Sequence, residues 1–159
     1  MTGLVEAVRR KIEESCIEDG PLSRKSCEIS LEDAPQPRVV IDFDKPGSPL
    51  GKSQKRCEYL FVAERDGGGS WVVPMEFKSS RIRISKVAEQ LQAGARAAER
   101  FVPNQNPISF RPVAVVCDSV GKKQRKDLKD KCNAVRYRGC REPVRILLCG
   151  ALLTEVLGK

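Results

Sequence analysis

Two apolar strands joined by a run of glycines constrain this chain more than any other feature. Cys57-Glu58-Tyr59-Leu60-Phe61-Val62-Ala63 and Trp71-Val72-Val73-Pro74-Met75-Glu76-Phe77-Lys78 flank Asp66-Gly67-Gly68-Gly69-Ser70. The glycine run supplies turn chemistry, so the segment predicts a hairpin. Residues two apart in a strand share a face, so Glu76 and Lys78 project together while Phe77 points away. Charged groups that follow so apolar a run sit at a sheet end, where functional side chains emerge from a rigid platform.

A carboxylate and an ammonium on one face, with the acid Glu58 on the adjoining strand, form a cradle for a divalent cation and a phosphate. Hydrolysis of a phosphodiester needs charge neutralisation on the phosphoryl oxygens and an activated water. Hard cations such as Mg²⁺ take oxygen ligands from one or two carboxylates and keep several waters. Glu58 and Glu76 are the candidate ligands, with the Phe77 carbonyl as a backbone ligand. Lys78, a compact charge with three donors, is the candidate for orienting the attacking water or stabilising charge on the phosphate. This chemistry requires no histidine, and the chain contains none. The competing reading is an ordinary same-face ion pair on an exposed strand, worth little energetically.

Glu76-x-Lys78 at the end of an apolar strand, Glu58 eighteen residues earlier, and a following helix with Gln90 and Gln92 together resemble the PD-(D/E)XK, or restriction-endonuclease-like, nuclease superfamily. The resemblance implies an α/β (α+β) fold: a central mixed β-sheet flanked by helices, in the order αβββαβ, spanning residues 3 to 118. It also implies an Mg²⁺- or Mn²⁺-dependent nuclease, a hydrolase acting on nucleic acid and above all on duplex DNA. Catalysis would fall to Glu58, Glu76 and Lys78, and metal binding to Glu58, Glu76 and Phe77. Asp42, Gln90 and Glu14 are auxiliary candidates. Two departures stand out: glutamate replaces the family's usual aspartate at Glu58, and Cys57 replaces the preceding proline.

The remaining pattern fits that order. Leu4, Val5, Val8, Ile12 and Cys16 recur at helical spacing, with Thr2 as a cap and Gly20-Pro21 as a stop. Cys27 to Leu31 and Pro37 to Phe43 read as strands, and residues 44 to 55 as a loop bordering a nucleic-acid groove. Ile84 to Phe101 is the clearest helix, with Ser85 as a cap, a stripe of Val87, Leu91, Ala95, Ala98 and Phe101, and small residues for close approach to a sheet. Arg111 to Cys117 predicts a buried strand. Residues 134–137 and 143–148 predict a C-terminal β-hairpin, followed by a short helix over 152–157.

One domain over residues 1–159 is expected, since a chain of this length buries a substantial core without a disulfide scaffold. Its 29 Lys and Arg against 21 Asp and Glu leave a formal charge of +8, which favours polyanionic partners. Lys52, Lys55, Lys122, Lys123, Arg125 and Lys126 are the candidate contacts to a nucleic-acid backbone. Few tyrosines and one tryptophan supply poor stacking platforms for single strands, so backbone contacts to a duplex fit better. Seven cysteines with no Cys-x-x-Cys pair read as reduced thiols in a soluble cytoplasmic protein. No segment reads as a signal peptide or a membrane span.

Asp42 and Asp44 form a rival acid pair on another strand end, and Glu6, Glu13 and Glu14 are first-helix acids that can equally be solvated. Three readings therefore compete: a metal-dependent nuclease, a restriction-like fold that binds nucleic acid or a protein partner without cutting, and an unrelated α/β interaction protein. Pairing of active sites for duplex cleavage makes a homodimer or a recruiting protein partner compatible with the first.

Overall fold

The computed structural model describes residues 3–24, 26–51, 54–78, 82–117 and 120–157. Its centre is a mixed sheet that begins as an antiparallel meander of β3 (Arg38–Asp42), β4 (Tyr59–Glu64) and β5 (Ser70–Lys78). The Gly67-Gly68-Gly69 turn is feasible because all three glycines have positive φ, a region closed to most side chains. In the register Tyr59 lies opposite Met75 and Asp42 opposite Tyr59, so the acid-bearing ends of the three strands coincide.

Beyond β5 the sheet turns parallel. The helix α2 (Ile84–Phe101) crosses over, and β6 (Ile108–Phe110) and β7 (Val113–Val116) pair with successive halves of β5. Helix α2 spans the range predicted from its periodicity, and its buried stripe is the predicted one, with Gly94 and Ala97 added. It starts one residue before the expected cap, with Arg83 at the cap position. A Cβ on Gly94 would collide with Cys57 Sγ and come within 3.3 Å of Pro74, so only glycine allows the helix this close to the sheet.

The sheet is buried on both faces. On one, Val39, Leu60, Val62 and Val72 pack with Val87 and Leu91 of α2 and with Leu4 and Val8 of α1 (Leu4–Lys11). On the other, Phe61, Val73, Met75 and Val115 pack with Leu22 of β1 (Leu22–Arg24), Ile29 of β2 (Cys27–Ile29) and Leu157 of α4 (Thr154–Leu157). Each fully buried aliphatic side chain contributes roughly 1.5–3 kcal/mol.

Several expectations are corrected. The first helix stops at Lys11 instead of continuing to Cys16: Ile12 is extended and residues Glu14–Cys16 form only a 3₁₀ turn. Here the sheet overrides helical spacing, because Ile17 bridges Ile41 and the Glu18 N–H donates to the Val40 carbonyl at 2.9 Å. Thr2 lies outside the described residues.

The C-terminal hairpin is differently built. β8 (Val135–Tyr137) pairs with β9 (Cys140–Glu142), around Arg138 and Gly139 at positive φ, while β10 (Arg145–Leu148) joins the main sheet parallel to β7. A turn sequence two residues long was sufficient, and the longer apolar run was released to extend the core.

The expectation of seven reduced thiols also fails. Cys27 and Cys149 form a disulfide across 122 residues, a pairing that depends on β1–β2 docking against the end of β10 and leaves no local sequence signature. Cys16, Cys57, Cys117, Cys132 and Cys140 are free. Among the described residues, no helix is long and apolar enough to cross a membrane.

Candidate active site

The shared sheet end gathers the chemistry. Glu58 immediately precedes β4, Glu76 and Lys78 close β5, and Glu58 and Glu76 face Lys86 and Gln90 of the first turns of α2 across one cavity. Strand alternation puts Glu76 and Lys78 on the α2 face with Val72, while Phe77 packs its ring on Tyr59 on the other face at 5.6 Å between centroids. A cavity of about 360 Å³ is lined by Glu58, Glu76, Gln90, Lys86, Lys55 and Arg56, among others.

Glu58 and Glu76 are interlocked. The Glu58 N–H donates to Glu76 Oε1 at 3.1 Å, and the Phe77 N–H donates to Glu58 Oε1 at 2.7 Å. Lys78 Nζ lies 3.3 Å from Glu76 Oε2. Glu76 is 2% exposed, and burial, followed by the charge of Glu58, pushes its carboxyl up to about 7, with Lys78 opposing. Burial also raises Glu58 above the usual carboxylate range, against the Phe77 N–H and the Arg24 charge. Glu58 has Arg24 opposite it at 3.0 Å, whereas buried Glu76 faces another carboxylate with one ammonium and is the less compensated of the two.

Gln90 makes the same point with a neutral group. Its Oε1 is buried without a hydrogen-bond partner among the described residues, and it lines the cavity with both glutamates. An orphaned acceptor beside two carboxylates suits a cation or its water. No trio of carboxylates among the described residues brings its oxygens within 4.8 Å, so a cation here would have at most two, the number Mg²⁺ commonly takes.

The auxiliary candidates divide. Asp42 is buried on the Tyr59 face and accepts from Arg24 at 2.6 Å and from the Asp44 N–H at 2.9 Å, so it belongs to an arginine node and does not line the cavity. Glu14 is exposed in the 3₁₀ turn and is likewise outside the lining. Gln92, paired with Gln90 by sequence, instead exchanges two 2.9 Å hydrogen bonds with the main chain of Arg136 and pins β8 to α2.

Of the basic candidates, Lys55 lines the cavity and ion-pairs with Glu89 at 2.8 Å. Lys122, Lys123, Arg125 and Lys126 lie on α3 (Lys122–Leu128), where Gln124 donates to the Ile82 carbonyl at 3.3 Å, bringing this helix to the start of α2. Lys52 lies outside the described residues. Sequence reasoning missed Arg96 and Arg100 of α2, which with Lys55 border an adjoining hollow of about 530 Å³.

It also missed Arg24. From β1, this guanidinium contacts Glu58 Oε2 at 3.0 Å, Asp42 Oδ1 at 2.6 Å and Asp44 Oδ2 at 3.1 Å, and lies against the Tyr59 ring and hydroxyl. Burial works against its charge, but the Asp42 hydrogen bond and the surrounding anions outweigh it, holding Arg24 protonated above its ordinary value. The β1–β2 turn lacks glycine and asparagine, which left this hairpin without its usual sequence signal. Cys57, beside Glu58, is fully buried, and burial and then Glu76 push its thiol far up, which removes it as a nucleophile.

No protein-family model matches this sequence, and comparisons with curated proteins and with solved structures return no match.

Proposed function

We propose that the chain is a metal-dependent nuclease of the restriction-endonuclease-like type, hydrolysing phosphodiester bonds of duplex DNA. The observation that carries this reading is the carboxylate pair Glu58 and Glu76, which line one cavity with Gln90, whose Oε1 has no partner among the described residues, while Lys78 lies 3.3 Å from Glu76. The β3–β4–β5 meander, the crossover helix α2 and the parallel strand β7 support it, although β1 and β2 before the meander and β6 before β7 interrupt the αβββαβ order expected of that superfamily.

Glu58, Glu76 and the Phe77 carbonyl would hold Mg²⁺ or Mn²⁺, which when bound supplies charge neutralisation at the phosphate and a more acidic water. Lys78 donates toward the oxygen that gains charge, a role strengthened by its half-buried setting. In the metal-free chain the Glu76 carboxyl is pushed up to about 7, so its proton would be displaced when a cation binds, and metal affinity would rise with pH. Gln90 orients a water or phosphate oxygen through its free acceptor or its amide. Lys86 beside the cavity and Arg96 and Arg100 along α2 extend a cationic track for the backbone, continued by α3.

One observation favours a second reading, a restriction-like fold that binds nucleic acid or a protein without cutting. Arg24 already engages the Glu58 carboxylate, through the oxygen not bonded to Phe77. Cleavage of duplex, single-stranded and branched DNA and of RNA with Mg²⁺ and Mn²⁺, by the native chain, Glu76→Gln and Lys78→Ala, separates the two. Metal-dependent cleavage lost in both variants supports the nuclease. Undiminished nucleic-acid binding with no cleavage by any of the three supports the binding module.

A further inference from the structure

We propose that Cys27, Cys117 and Cys149 form a thiol–disulfide exchange centre in which Cys149 alternates between two partners. The three sulfurs lie within 4.8 Å of one another: Cys27 and Cys149 are bonded, and the free Cys117 Sγ is 3.4 Å from Cys149 Sγ. This is a built arrangement, because Cys117 directly follows β7 and Cys149 directly follows β10, its parallel neighbour. The Cys149 N–H donates to the Val116 carbonyl at 3.0 Å, carrying the ladder one step past the Val116–Leu148 pair. Neighbouring strands lie about 4.8 Å apart, inside the roughly 4.4–6.8 Å Cα separation a disulfide spans. Cys149 therefore has a bonded partner 5.2 Å away between Cα atoms on one side and a reachable one on the other.

The step is balanced without any external oxidant or reductant. Cys117, half-exposed and 3.4 Å from Cys149 Sγ, attacks that sulfur as the thiolate, its proton passing to solvent. The Cys117–Cys149 bond forms, the Cys27–Cys149 bond breaks, and the electron pair leaves on Cys27, which takes up a proton. One disulfide and one thiol are present before and after. Cys27 stays within reach for the reverse step, because Gly150 N–H still donates to the Glu28 carbonyl at 2.7 Å and Ser30 N–H to that of Ala151 at 3.0 Å.

The exchange has a structural consequence for the hairpin it releases. Cys27 is the cross-strand partner of Arg24, so the bond that breaks is the covalent tie of the strand whose guanidinium lies on Glu58, Asp42 and Asp44.

Cys27, Cys117 and Cys149 fall on three different tryptic peptides, so the test is a disulfide map of the native chain. The protein is held at pH 8 without reductant, quenched with acid, alkylated and digested without reduction. The expected result is two linked pairs, Cys27–Cys149 and Cys117–Cys149, with loss of the second in Cys117→Ser and its full conversion in Cys27→Ser. A native map with Cys27–Cys149 alone and Cys117 completely alkylated overturns the proposal, whether or not the variants fold.

Discussion

Glu76 and Asp42 lie at the same sheet end and are almost equally buried, at 2% and 4% exposure, yet their surroundings differ. Asp42, on the Tyr59 face, has a guanidinium at 2.6 Å and a main-chain N–H at 2.9 Å. Glu76, on the α2 face, has another carboxylate beside it, one ammonium at 3.3 Å and one main-chain N–H at 3.1 Å. Burial of a charge is tolerated when it is paired and hydrogen-bonded, and is otherwise retained where function needs it. The contrast sets Asp42 in a compensated ion pair and leaves Glu76 less compensated, which is the difference the proposed metal site rests on. Glu58 links the two regions, with one oxygen on the Phe77 N–H and the other on Arg24.

The largest effect should come from removing the poised side. Lys78→Ala and Glu76→Gln should each lower metal-dependent cleavage by roughly 10²–10³-fold, the scale of losing one donor to transition-state charge, measured on the substrate that the native chain cuts best. Asp42→Asn should leave cleavage by the folded protein within about tenfold and act on stability instead. Breaking its ion pair with Arg24 should cost about 3 kcal/mol in urea unfolding. If Asp42→Asn abolished cleavage without a change in stability, the division between the two acids would collapse.

Much of this contrast was legible in the sequence, and the part that was not has a physical cause. Glu58, Glu76 and Lys78 could be placed because strand alternation and a glycine turn are local signals; the two glutamates share one cavity, and Lys78 reaches Glu76 at 3.3 Å without lining it. Helix α2 was legible because its apolar stripe, Val87 to Phe101, repeats over about four turns. Arg24 was invisible because its role depends on a short hairpin docking across the sheet, and the Cys27–Cys149 pair because 122 residues separate its members. The C-terminal end of α1 and the partner of β10 were misread for one reason: local periodicity was strong, but pairing with a strand distant in sequence decided the outcome. Arg96 and Arg100 read as ordinary helix surface until the hollow beside them was formed.

The pH dependence of stability should sharpen the comparison further. The Glu76 carboxyl moves from about 4.5 unfolded to about 7 folded, so between these values the native state binds more protons than the unfolded state. Stability of the metal-free protein should therefore fall as pH rises from 4.5 to 7. At about 1.36 kcal/mol per unit, the loss should be of order 2 kcal/mol after allowance for relaxation, with Glu58 adding in the same direction. Glu18, whose carboxyl is lowered by the Gly20 N–H and Lys45 despite burial, contributes the opposite slope, but only as pH falls below about 4.5. Urea midpoints from pH 5 to 8 should show the decline in the native chain and a flatter line in Glu76→Gln. Added Mn²⁺ should recover stability at pH 8 in the native chain alone. A native profile rising through this window would show that Glu76 is as well compensated as Asp42.

The smallest effect separates the two glutamines, which divide as the acids do. Gln92 satisfies both the carbonyl and the N–H of Arg136, so Gln92→Ala strands two main-chain groups of β8 and should cost about 1 kcal/mol, with cleavage kept. Gln90 has an acceptor with no partner among the described residues, so Gln90→Ala removes an unsatisfied group and should leave stability unchanged or slightly higher. Its cost should appear instead as weaker Mn²⁺ or phosphate-backbone affinity, by several-fold in a titration. Equal losses of stability in both variants would mean that Gln90 has a partner in solution and is scaffold. The cavity wall would then be poised through Glu58 and Glu76 alone, with Lys78 behind Glu76.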